Sequence, residues 1–165
     1  MRRDTIMIGP AVSGAVLRGV AVALVAAAAL ALQPPPFWQA AAVLAAVTGA
    51  VFPRTGLFWV ALLVVPLALL MDEVSLWRTA LAIAVVHAGH VLATLSLAIP
   101  ARSRVALSAL RPASVRWAGI QVISQAVAGA ALIVPRAEGA GLAWAAPVGA
   151  LAVALLAVLL LRRAR

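Results

Sequence analysis

The sequence has no cysteine, no lysine and no tyrosine, and only four acidic residues. Without cysteine there is no disulfide, no thiolate metal ligand and no thiol nucleophile, and cysteine usage carries no trace of a redox compartment. The chain also lacks GxSxG, GxGxxG, a P-loop, HExxH and paired catalytic acids. Hydrolytic, dinucleotide and phosphoryl-transfer chemistry therefore miss their usual parts, and no enzymatic activity is expected. No internal repeat is evident, so the inverted-repeat signature of many transporters is absent.

What the sequence does have is apolar surface. Of 165 residues, 66% are hydrophobic and 10% charged, and the mean hydropathy is +1.15. An ordinary soluble domain is roughly half apolar and cannot hide that much. Several runs approach the ~20 residues that a helix needs to cross a bilayer core. The expected fold is all-α: a single polytopic transmembrane bundle of six spans at about 11–32, 37–52, 57–71, 76–99, 117–134 and 141–161, with a basic cytoplasmic loop over 100–116. With both termini in the cytoplasm, Arg2, Arg3, Arg54, Arg102, Arg104, Arg111, Arg116, Arg162, Arg163 and Arg165 share the inner side, while Arg78 and Arg136 fall outside. Such asymmetry follows the positive-inside rule, so the net charge of +9 is explained by topology and no nucleic-acid partner is expected. Trp38, Trp59, Trp77, Trp117 and Trp144 fall near span ends, where amphipathic rings anchor at the interface. The Ala-, Val-, Leu- and Arg-rich composition is what a GC-rich genome encodes, which points to the inner membrane of a bacterium.

Three local alternatives stay open. The spans 37–52 and 57–71 are short for a ~30 Å core and are compatible with a re-entrant hairpin. The start of the chain, with Arg2, Arg3 and a run from Gly19 to Leu32 ending in small residues, also fits a cleavable signal peptide. Arg18 lies a couple of turns inside the first span, where it either snorkels to the head groups or turns inward as an intramembrane charge.

Intramembrane polar groups cluster in two spans. His87, His90 and Thr94 share one face of the fourth, and Gln121, Ser124 and Gln125 share one face of the fifth. If these spans form an antiparallel hairpin with ends at Ile99 and Arg116, His90 pairs with Gln125, Thr94 with Gln121, and His87 lies opposite Ala128, without a polar partner. The cluster either fastens two helices or contacts a small ligand. Two histidines with no cysteine or intramembrane carboxylate make a poor metal or haem site, so no metal and no cofactor are expected.

The remaining features concern surfaces. SRVALSALRP is expected to form a short helix capped by Ser103 and stopped by Pro112, its Arg104 and Arg111 near anionic head groups with Arg102 and Arg116 close by. Gly19, Ala23, Ala27 and Ala31, and Gly141, Ala145 and Gly149, form small-residue stripes that permit close helix contacts. Pro66 and Pro147 stand where kinks are expected. Two functions fit: a non-enzymatic subunit or scaffold working with membrane lipids and a membrane-protein partner or a second copy, or a transport component binding a small ligand at the polar cluster.

Overall fold

The computed structural model describes residues 9–133 except Asp72 and Val74. The sixth expected span, Arg136, Trp144, Pro147 and the second small-residue stripe lie outside the described residues. The order is strand β1 (Ala11–Ser13), helix α1 (Gly14–Leu32), α2 (Pro36–Val51), a 3-10 turn (Pro53–Thr55), α3 (Leu57–Leu70), α4 (Leu76–Ala98), strand β2 (Arg104–Ala106) and α5 (Leu107–Ile133). The fold is all-α apart from the short antiparallel β1–β2 pair, in which Ala11 faces Ala106 and Ser13 faces Arg104. Among the described residues two helices, Gly14–Leu32 and Leu76–Ala98, are long and apolar enough to cross a membrane, whereas α2 and α3 are shorter apolar helices.

Helices α1 to α4 pack as a bundle around small side chains. The buried face of α1 is Leu17, Ala21, Val25, Ala28 and Leu32, that of α2 is Ala42, Ala46 and Gly49, and both meet Phe58, Ala61, Leu62, Val65 and Ala68 of α3. Alanine and glycine let backbones approach closely, the packing mode available to helices when lipid removes the hydrophobic drive for association. At Gly49 an added Cβ would collide with the backbone nitrogen of Phe58, and at Gly14 with the carbonyl of Pro100. The expected contact stripe on α1 is thereby corrected: Gly19, Ala23, Ala27 and Ala31 are all exposed. A stripe of period four drifts around a helix of 3.6 residues per turn, while the buried set alternates steps of four and three and stays on one face.

Helix ends are closed by arginines and by backbone. Each helix leaves its last carbonyls without intrahelical donors, and a cation placed there also meets the negative end of the helix dipole. Arg18 of α1 donates through Nη1 to Ala50 O at 3.0 Å, and through Nη2 to Ser96 O at 3.1 Å and Ile99 O at 3.4 Å. It therefore closes the ends of α2 and α4 together. Arg78, near the start of α4, donates to Leu32 O at 2.8 Å and closes α1. The antiparallel pair α1 and α4 thus exchange arginines, one at each end. The partners of Arg18 are carbonyls of the protein.

The connection between α4 and α5 differs most from expectation. Residues 104–106 form β2, Leu107 begins α5, and the helix passes through Pro112. The basic loop over 100–116 and its short, Pro-stopped helix are therefore replaced by a strand followed by the first turns of a long helix. Pro112 lies early enough that its missing N–H leaves only the carbonyl of Ser108 without its helical donor. Ser103 caps nothing downstream; its hydroxyl donates to Pro100 O at 2.7 Å. Its own carbonyl instead accepts from Gly14 N at 2.9 Å, as Ala101 O does from Ala15 N, so this turn closes the start of α1. Pro66 also sits inside a continuous helix, exposed on α3.

Candidate functional site

Helix α4 has two working faces. Ala82, Val85, Gly89, Ala93 and Ser96 are buried against the bundle, while His87, His90, Val91, Thr94 and Leu95 line a cleft closed on its far side by Ala113, Arg116, Trp117 and Ile120 of α5. Its volume is about 500 Å³, within the ~300–1,000 Å³ of small-molecule sites. The α5 wall repeats at steps of three and one, the pattern of a single helical face. That periodicity was readable in the sequence; it was hidden by ending the cytoplasmic loop at Arg116, which placed half of the wall outside any helix.

The polar cluster assembles in a different register from the one expected. His87 Nδ1 lies 3.2 Å from Gln121 Oε1. An amide oxygen only accepts, so Nδ1 carries the hydrogen. Gln125 Nε2 donates to Ala80 O at 2.8 Å. His87 therefore has the partner that the sequence reading denied it, and His90 does not pair with Gln125, nor Thr94 with Gln121. The cause is the length of the connection: helix ends at Ala98 and Leu107 bring Gln125 level with Ala80, whereas ends at Ile99 and Arg116 had moved α5 by two to three turns.

His90 is exposed and packs edge-on against Trp59 of α3, ring centroids 4.5 Å apart at 72°. Thr94 donates to His90 O at 2.9 Å within its own helix. Ser124 is half-buried on the same face as Gln121 and Gln125. Trp117, expected as an interfacial anchor at a span start, lies well inside α5 as a wall of the cleft. Two α5 donors, Trp117 Nε1 and Gln121 Nε2, the latter outside the cleft lining, are buried without a hydrogen-bond partner. Each such group costs about 1–3 kcal/mol when left unmet. Among the described residues, no group of three or more His, Cys, Asp or Glu could hold a metal ion.

The arginines expected at lipid head groups are spread over two elements and a turn. Arg102 lies in the turn before β2, Arg104 in β2, and Arg111 and Arg116 on α5, all exposed. Among the described residues no ion pair or side-chain hydrogen bond occupies any of the four. Arg116 alone of them reaches the cleft. A second cavity of about 500 Å³ lies beside Arg18 and Arg54, with Phe52, Ser96 and Pro100 among its walls, but the Arg18 guanidinium there is already held by three carbonyls.

Comparison of the chain with protein-family models, with curated proteins and with solved structures finds no match.

Proposed function

We propose that this chain is a multi-pass protein of a bacterial inner membrane that catalyses no reaction and holds a small ligand between α4 and α5, as a binding or transport component. The observation that carries the reading is the cleft itself: a small-molecule volume between α4 and α5 in which His87, His90, Thr94 and Arg116 stand among apolar walls. A few polar groups converging in a concave apolar site are the usual make-up of a small-molecule pocket. The membrane setting rests on the apolar composition, on two helices of spanning length and on large apolar side chains exposed along the helices, such as Leu30, Leu63 and Val122 at 60–70%. In this reading the exposed arginines of the 102–116 segment meet anionic head groups on the cytoplasmic side.

A second reading, a subunit or scaffold seated against a membrane-protein partner or a second copy, draws on α5. None of its described side chains is buried, and Val115, Ile120, Val122, Ile123 and Val127 are exposed. Extraction in a mild detergent followed by native mass spectrometry separates the two. A small molecule released only on unfolding is the expected result; an empty protein retaining a stoichiometric polypeptide partner overturns it in favour of the scaffold. Sidedness is read separately from single cysteines at Pro35, Thr55 and Arg104. The cysteine-free background makes each label specific, and Thr55 and Arg104 are expected to react from the side opposite Pro35.

A further inference from the structure

We infer that the ligand of the α4–α5 cleft is a single-chain amphiphile carrying an oxyanion head, a carboxylate or a phosphate. The inference rests on the cleft being a ligand site at all, and adds the chemical class. Two features of the walls set it. Val91, Leu95, Ala113 and Ile120 supply apolar surface along both helices, which suits a hydrocarbon chain. The one formal charge on the lining is Arg116, exposed and without an acid partner among the described residues, and no carboxylate lines the cleft.

An oxyanion is the complement of this set. It accepts from several donors at once, and a guanidinium binds it through parallel hydrogen bonds. A neutral alcohol would leave Arg116 uncompensated, and a cation would be repelled by it. A free inorganic anion would leave the apolar walls uncovered. The volume, about 500 Å³, suits one chain, where a two-chain phospholipid would have to leave much of itself outside. Arg116 and Ala113 lie toward the start of α5, and His87 and Ile120 deeper along the helices. The head therefore sits at Arg116, which the register of α4 and α5 sets about level with Val91, and the chain runs inward past Ile120.

The full chain is reconstituted in phosphatidylcholine nanodiscs and photolabelled with a diazirine-bearing long-chain alkanoate, the labelled peptides being read by mass spectrometry. Saturable labelling of the segments around Val91 and Ile120 is expected. It should be competed by unlabelled alkanoate and by the matching alkyl phosphate, about tenfold less well by the matching alkanol, as loss of a charge-assisted bond predicts, and not by inorganic phosphate. Arg116→Gln should erase the preference for the anion over the alkanol, while Ile120→Trp should block both by filling the cleft. Competition by phosphatidylglycerol built into the disc would keep the oxyanion class and name the bilayer as its source. Equal competition by alkanol and alkanoate, or an unchanged preference in Arg116→Gln, overturns the assignment of class and leaves the ligand site standing. Absence of saturable labelling by either amphiphile overturns the site itself.

Discussion

Helix α4 is flanked by two neighbours that hold it in opposite ways. Toward α1, α2 and α3 its side chains are small and buried, and a Cβ added at Gly89 would run into Leu62. Toward α5 the side chains are polar or large, none of the described α5 residues is buried, and a cleft opens. Close packing of small residues is the stabilising contact in a lipid setting, whereas polar groups left around a cavity contribute little to stability and are the material of recognition. The bundle side therefore carries the close packing of the fold, and the α5 side carries the cleft.

Substitutions that test this contrast should rank accordingly. The largest effect is expected from Gly49→Val, which forces a side chain into the backbone of α3 at Phe58; a loss of about 3 kcal/mol, the upper end for overpacking, should appear in an SDS unfolding titration. Arg18→Met comes next, at about 2 kcal/mol, because it strips donors from carbonyls of α2 and α4 at once. Arg18→Lys should recover only part of that, since one ammonium cannot reproduce a fork spanning two helices. If Arg18→Met were neutral, the reciprocal closure of helix ends would be decoration.

Smaller effects belong to the α5 side. A double-mutant cycle on His87→Ala and Gln121→Ala should give a coupling of about 0.6–2 kcal/mol. The same cycle on His90 and Gln125, which the structure separates, should give none; coupling there would restore the register first read from the sequence. Val122→Ala on the exposed face of α5 should change stability by no more than about 0.5 kcal/mol. A loss well above that would mean the face is packed against a partner, and the scaffold reading would gain.

The helices of the bundle were legible because apolar runs and their Pro-, Gly- or charge-bearing breaks state helix limits directly: the run expected over 57–71 is α3, and the one over 76–99 is α4. Which face of each helix packs was not legible. In α1 the buried Ala21, Ala28 and Ala29 and the exposed Ala23, Ala27 and Ala31 have the same side chain, and only neighbouring backbones distinguish them. The start of α5 was missed because Pro112 and four arginines over 102–116 read locally as a loop, while the pairing of Val105 with Val12, more than ninety residues apart, leaves no local signal. The polar cluster was recognisable by residue type, since histidines and glutamines stand out in so apolar a chain. Its partners were not, because two helices joined by a connection of misjudged length slide past each other by whole turns.

The short strand pair has a mechanical meaning for the cleft. Leu107 N donates to Pro10 O, and β2 is stitched to β1 directly before the start of α1, so α5 is clamped at its base. From that clamp the helix is a lever, and Gln125 stands about 27 Å along it at 1.5 Å per residue. A tilt of about 5° at the base moves that point by about 2.4 Å, enough to part the 2.8 Å bond from Gln125 to Ala80 O. A lever this long makes the width of the cleft depend on the geometry of the strand pair at its base.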